Sequence, residues 1–383
     1  MPYSPGLLIG LSTKIEERIA DIEAELAKMQ YNKATQGHFA TLKARLAQLR
    51  SELVERAALS KRKGSGFGIK KQGDATAILL GFPSVGKSTL LNAVTNKESK
   101  VAAYEFTTLE VIPGMIEYDG IFRGTRIQIL DLPGIIKGGA TGRGRGREIL
   151  STVRNADIVI ILLDATRPEH LEIIENELYR ANIRLDQNPP NIRLKKRERG
   201  GILVTGFSSK TNHEEIANVL RTYRINNADV FLYEKNLNLD HIIDFVAGNR
   251  VYLPSLVVIN KIDLVTPQEL NELKKVIGRG VTPISAEQKI GLEEFKENII
   301  DRIGLIRVFL WTPGKKEPDM NEPLILKRGS TIDDVCIKVH KRFKEDFRYA
   351  NVWGASAKFP GQKVSLNHQL EDSDILRITL ERF

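Results

Sequence analysis

The sequence predicts an α/β fold. A mostly parallel, doubly wound sheet surrounds a phosphate-binding P-loop, with a helical hairpin before it, a helical insertion within it and a small β-grasp after it. Three observations predict this. Residues 81–88 read Gly-Phe-Pro-Ser-Val-Gly-Lys-Ser, between an apolar run, Ala77–Leu80, and a helical stretch, Thr89–Val94. Short apolar runs of the kind that form buried parallel strands recur at 127–130, 158–163 and 257–259. From about 304 the pattern changes to two strands and a helix, closed by an alternating strand over 374–380.

The loop comes first. Glycines at 81 and 86 let the backbone of Gly81, Phe82, Pro83, Ser84, Val85 and Gly86 curl around phosphate oxygens, and the helix N-terminus at Lys87, Ser88 and Thr89 adds its positive end. Lys87 can neutralise the β/γ oxygens, and Ser88 can bind Mg²⁺. A glycine turn before an ordinary helix would also fit the bare pattern. The strand on one side and the helix on the other favour the phosphate reading.

The base is read elsewhere. Val257-Val258-Ile259 ends in Asn260-Lys261-Ile262-Asp263. A carboxylate at Asp263 can accept both N–H groups of guanine's N1/N2 edge, a pair that adenine lacks. Asn260 can brace the loop and reach N7, and the stem of Lys261 can pack along the ring. After a further strand comes Pro283-Ile284-Ser285-Ala286, where the Ala286 N–H can meet guanine O6. Between loop and base reader, Ile127–Leu130 delivers Asp131 to a Mg²⁺ shell through water, and the Gly134 amide can point at a γ-phosphate. Upstream, Thr108, preferred over Thr107, offers a hydroxyl to the metal.

In order and spacing these segments resemble the G1–G5 elements of GTPases. They are more similar to the Obg-related group and, within it, to the developmentally regulated GTP-binding (DRG) proteins. The most specific stretches are Gly81–Thr89, Tyr104–Leu109 and Asp131–Ala140, and the resemblance spans nearly the whole chain. It implies a P-loop GTPase domain that takes GTP/GDP and Mg²⁺ and hydrolyses GTP to GDP and phosphate. Lys87, Thr108 and Gly134 would be its catalytic contacts, and Ser88, Thr108 and Asp131 would hold the metal. One departure matters. Many GTPases carry a glutamine after the glycine at 134 to orient water; here the residue is Ile135, which cannot. Slow unaided turnover is therefore expected, with a partner, a monovalent cation or a distant side chain completing the site. Some related GTPases have asparagine, resembling a K⁺ ligand, where this chain has Ser84. A serine oxygen is also a hard ligand, so K⁺ stays a candidate cofactor. The Gly- and Arg-rich stretch 137–147 is expected to order with GTP or on a partner.

Composition bounds the rest. In 383 residues no apolar run is long enough to span a bilayer, and the N-terminus lacks a signal-peptide pattern. Cys336 is the only cysteine and the histidines are scattered, which excludes internal disulfides and indicates no Cys- or His-rich metal site. A cytoplasmic protein is expected. The net charge of +9 favours a polyanionic partner such as RNA; no membrane partner and no DNA are expected.

Three domains are expected. Residues 1–71 form a helical hairpin and basic linker, with apolar stripes at Ile15, Ile19, Ile22, Leu26 and Met29 and at Phe39, Leu42, Leu46, Leu49 and Leu53. Thr13 and Glu16 read as a capping box, and Gly37 as the break between helices. The basic residues between 43 and 71, among them Lys43, Arg45, Arg50 and Lys61-Arg62-Lys63, suggest RNA contact. Residues 72–303 form the nucleotide-binding domain. Leu163 and Leu256 are too far apart for one crossover, so a helical insertion occupies about 168–250, with a strand at Gly201–Phe207 and helices near 212–223 and 238–247. Residues 304–383 form a β-grasp resembling the TGS domain of these GTPases. Its helix is capped by Ser330 or Thr331 and runs through Val335, Ile337 and Val339.

The expected function is a Mg²⁺-dependent conformational switch on the ribosome or its RNA, with a small protein partner also plausible by resemblance. The alternatives are a nucleotide-stabilised RNA- or protein-binding scaffold with negligible turnover, and a GTPase switch in a process outside translation.

Overall fold

The computed structural model describes residues 5–59, 72–95, 112–132, 152–206, 211–312 and 314–381. The expectations placed on Thr107, Thr108, Gly134, Ile135, the 137–147 stretch and the 61–66 linker lie outside them. The described residues fall into two compact units. One joins the hairpin to residues 172–253, and the other joins the nucleotide-binding sheet to the C-terminal β-grasp.

The nucleotide-binding sheet has six strands in the order Val281–Pro283, Ser255–Asn260, Ile158–Asp164, Ala75–Leu80, Arg126–Asp131 and Ile112–Glu117. All neighbours are parallel except the last pair. Every residue of Ala75–Leu80, Ile158–Asp164 and Ser255–Asn260 is buried. Continuous apolar runs are what a strand covered on both faces requires, and each fully buried Ile, Leu or Val contributes about 1.5–3 kcal/mol. From Ala75–Leu80 the chain passes to Arg126–Asp131 on one side and then to Ile158–Asp164 on the other. That reversal opens a crevice at the strands' carboxyl ends, the place where open α/β sheets bind ligands.

The β-grasp sheet runs Leu324–Lys327, Leu305–Leu310, Asp374–Leu380, Phe347–Trp353, Gln362–Val364, with Leu305–Leu310 and Asp374–Leu380 parallel and the other pairs antiparallel. Its helix Ile332–Val339 begins where the Asp334 carboxylate accepts from both Thr331 N and Thr331 Oγ1. The helix includes Val335, Ile337 and Val339; Ile332, Val335 and Cys336 are buried against the sheet, while Ile337 and Val339 are exposed. Leu305 and Ile325 share the core cluster of the nucleotide-binding sheet, and Lys327 pairs with Asp157 at 2.5 Å. The β-grasp is thus packed onto that sheet.

The hairpin consists of helices Pro5–Lys28 and Gln36–Leu59. Ile15, Ile19, Ile22, Leu42, Leu46 and Leu53 form its buried seam. Two local readings change. Thr13 lies inside the first helix rather than at its start. Gly37 lies in the first turn of the second helix, and the break is built instead by Asn32, whose Oδ1 accepts from Ala34 N and Thr35 N. Gly37 serves close approach: a Cβ there would meet Asn218 Nδ2 at 2.7 Å. The second helix is covered on two sides, since Ala40 and Ala44 pack with Ile216, Val219 and Leu220 from the 172–253 segment. This draws in the basic residues as well. Lys43 pairs with Asp240 at 3.0 Å and Arg50 with Glu23 at 2.7 Å, so neither is a spare cation for RNA.

The insertion is mixed rather than helical. Helices His213–Thr222 and Leu239–Ala247 pack on a three-stranded sheet ordered Ile192–Lys196, Ala228–Leu232, Ile202–Gly206. A short parallel pair, Ile183–Leu185 with Val251–Leu253, brackets it. Each helix starts with a full capping box, Asn212 with Glu215 and Asn238 with His241. Arg184, Asp244 and Arg250 form a buried ion triad, with Asp244 taking a bidentate contact from Arg184 at 2.6 and 2.8 Å and a third from Arg250 at 2.6 Å.

Candidate functional site

The loop after Ala75–Leu80 is shaped by what a side chain would hit. At Gly81 a Cβ would lie 2.7 Å from Leu162 O, and at Gly86 it would lie 2.4 Å from Asn260 Nδ2. Gly86 also takes φ 93°, a left-handed conformation that favours glycine. Ser84 holds φ 66°, a turn conformation uncommon for a residue with a Cβ. Helix Lys87–Val94 follows directly, presenting its N-terminus to the loop.

Lys87 folds back over the loop, and its Nζ donates to Gly81 O at 3.1 Å and Phe82 O at 3.2 Å. Those carbonyls occupy the donors that phosphate oxygens would take. Burial holds the Lys87 ammonium below its ordinary range, while the Asp131 charge pulls it back up. Asp131 shows the mirror image. Burial raises its carboxyl above the usual range, against the pull of Lys87 and a hydrogen bond from Ser88 Oγ at 3.4 Å. Asp131 Oδ1 is buried with no hydrogen-bond partner. An orphaned carboxylate oxygen beside a serine hydroxyl and a phosphate-binding loop is a donor set that suits a hydrated Mg²⁺. Among the described residues no cluster of three His, Cys, Asp or Glu side chains competes for a metal.

Asn260, at the end of Ser255–Asn260, ties two loops together. Its Nδ2 donates to Val85 O at 2.8 Å, and its Oδ1 accepts from Ala286 N at 3.0 Å. Asn260 and Ala286 are both buried. The bracing expected of Asn260 is therefore made, with both ends of its amide in use. The Ala286 N–H, expected to meet guanine O6, donates here to Asn260, so a base oxygen would have to share that donor. Ser285 is buried, and its Oγ accepts from Gln288 N, which fixes the turn. Asp263 lies on the short 3₁₀ turn Ile262–Leu264, exposed at the mouth of the crevice.

Two contributors escaped the sequence reading. Asp164 ends the neighbouring strand in register with Asn260, and its Oδ2 accepts from Lys261 Nζ at 2.6 Å. Its Oδ1 accepts from Thr166 N and Oγ1. Although burial pushes the Asp164 carboxyl upward, these bonds together hold it below the usual range. Asp164 thereby anchors the ammonium of Lys261, whose backbone is left-handed at φ 63°. The second is an aromatic stack: Phe82 in the loop lies on His170, ring centroids 4.0 Å apart and 19° from parallel. The signal for Asp164 was an acid at a strand's carboxyl end; nothing local pointed to His170.

The glycine loop, Asp131 and the Asn260–Asp263 segment lie at or follow carboxyl ends of strands in the one sheet. Residues 76–196 match the family described as 50S ribosome-binding GTPase, 199–305 the C-terminal region of that domain, and 306–380 the TGS domain. A GTP-binding protein of Methanocaldococcus jannaschii is 50% identical over 98% of this chain and 95% of its own length. Developmentally-regulated GTP-binding protein 1 of Xenopus laevis is 44% identical over 94% of this chain and 98% of its own, and developmentally-regulated GTP-binding protein 2 of Homo sapiens is 41% identical over 95% and 99%.

Proposed function

The chain belongs to the developmentally regulated GTP-binding protein family of Obg-related GTPases, and from that membership we propose that it hydrolyses GTP to GDP and phosphate as a slow, Mg²⁺-dependent switch on the ribosome. The observation that carries the hydrolytic reading is the Lys87–Ser88–Asp131 group, whose half-buried ammonium and buried carboxylate with an orphaned Oδ1 suit triphosphate and metal.

In this reading Lys87 leaves the Gly81 and Phe82 carbonyls and takes the β/γ oxygens. Ser88 and Asp131, with Thr108, hold Mg²⁺, and the N–H groups of the loop orient the phosphates. When bound, Mg²⁺ supplies charge that stabilises the transferring phosphoryl group. Asp263 accepts from the guanine edge while Asn260 keeps base loop and phosphate loop at fixed separation. Gly134 senses the γ-phosphate. Ile135 cannot orient water, so a ribosomal contact, a small protein partner or K⁺ near Ser84 completes the site. Among the described residues no helix is long and apolar enough to cross a membrane, and the family model's ribosomal description supports a cytoplasmic, RNA-facing role.

The test is GTP turnover by the purified protein with Mg²⁺, in Na⁺ or K⁺, with and without ribosomes. Stimulation by ribosomes that Lys87→Ala abolishes is the expected result. Absence of multiple turnover under every condition would refute the enzymatic reading.

A further inference from the structure

We propose that the exposed face of the three-stranded sheet in the 172–253 unit is a platform for single-stranded RNA. The proposal rests on the RNA-facing role above and assigns it a surface. The central strand Ala228–Leu232 pairs antiparallel with Ile192–Lys196 and parallel with Ile202–Gly206. Side chains alternate between faces. Ile192, Leu194, Val204, Val230 and Leu232 turn inward onto the helices. The residues between them turn outward, and register sorts them into rows. Arg193, Phe231 and Thr205 form one row; Lys195, Asp229 and Leu203 form the next. Tyr233 N donates to Asn191 O at 3.1 Å, which continues the ladder and brings Tyr233 onto the same face as Phe231.

The chemistry of these rows fits RNA. Tyr233 is 55% exposed and Leu203 56%, an unusual amount of aromatic and apolar surface to leave in water on adjacent strands. Phe231 and Tyr233 stand two residues apart on one strand, roughly 7 Å, so each can take the face of a separate base. Arg193 and Lys195, both exposed, run alongside on the edge strand where a backbone would lie. Asp229, the acid in these rows, is bound by Arg197 at 2.7 Å and does not cancel them. A protein partner would favour a patch whose centre is depleted of lysine. A duplex hides its base faces, whereas a single strand offers them to a ring.

The experiment uses the full-length chain and a fluorescent, unstructured oligouridylate, with a duplex of equal length as control, followed by anisotropy across a salt series. Arg193→Gln with Lys195→Gln should flatten the slope of log affinity against log salt by about 1.4, the value for two phosphate contacts on a single strand. Tyr233→Ala should weaken binding about five-fold or more at unchanged slope. All three side chains are solvent-exposed, so both variants should keep wild-type GDP affinity and thermal transition. If wild type and variants bind the single strand alike, this face is not the platform, although RNA remains a partner. If the wild type binds no RNA, the platform and the RNA-facing role fall together, and turnover stays a separate question. Duplex binding as tight as single-strand binding, with Tyr233→Ala silent, would reduce the face to a charged patch and overturn the proposal. Loss of ribosome co-sedimentation in the variants, with oligonucleotide binding unchanged, would assign the face to protein and overturn it as well.

Discussion

Replacing Asn260 by alanine tests whether this side chain is a structural tie or only a base contact. Its amide makes two bonds between segments far apart in the chain, Nδ2 to Val85 O at 2.8 Å and Oδ1 from Ala286 N at 3.0 Å. Alanine strands both partners. Val85 is 2% exposed, Ala286 is 3%, and Asn260 itself is 3%, so water has little access to either orphan. Leaving a buried polar group unpaired costs about 1–3 kcal/mol, which puts the loss at about 2–5 kcal/mol once some relaxation is allowed. At roughly 2–4 °C per kcal/mol, the melting transition of the nucleotide-binding unit should fall by roughly 5–15 °C without nucleotide. GDP affinity should fall too, because the phosphate loop and the base loop lose their common anchor. Differential scanning calorimetry on the nucleotide-free protein, paired with fluorescent-GDP titration, reads both effects. A nucleotide-free transition within a degree of wild type, with weakened GDP binding, would refute the tie and leave Asn260 as a base contact alone.

Asp263→Asn should shift preference from guanine towards xanthine nucleotides, measured by competition against fluorescent GDP; unchanged GTP affinity would overturn the base assignment. Asp131→Asn should stabilise the nucleotide-free protein at neutral pH while weakening Mg²⁺-dependent nucleotide binding. The sign follows from burial, which raises the folded-state pKa above 3.8. The charged form is therefore penalised at high pH, and the penalty fades as pH falls through the window between the raised value and 3.8. The gap in melting temperature between variant and wild type should close on acidification, and a gap that is constant with pH would contradict the assignment. Asp244→Ala should cost about 3–5 kcal/mol, since it leaves Arg184 and Arg250 buried without their shared acid. Urea denaturation followed in the 172–253 unit checks it, and an unchanged midpoint would show that solvent or a neighbour compensates.

Where the sequence reading and the structure part company, the cause is range. Lys43 and Arg50 read as cations for RNA because no acid stands three or four residues from either on the helix; their partners are Asp240, far along the chain, and Glu23, on the facing helix. Gly37 read as a break because glycine ends helices more often than it eases their contact; only Asn218, from another segment, shows its purpose. The strand Ile192–Lys196 was hidden in a basic run, since its inward residues are Ile192 and Leu194 alone.

What the sequence by itself determined is the contiguous chemistry. A phosphate loop is one unbroken stretch of backbone, so Gly81–Ser88 declares itself, and buried parallel strands declare themselves by continuous apolar runs such as Ile158–Leu163. What only the tertiary structure decided is which polar groups meet: Asn260 with Val85 and Ala286, Lys261 with Asp164, Phe82 with His170. Each pairing joins segments brought together by the packing of the sheet. A lysine, an acid or an amide has the same local signature whether it faces water or a partner, and its energy is settled only when folding removes the water.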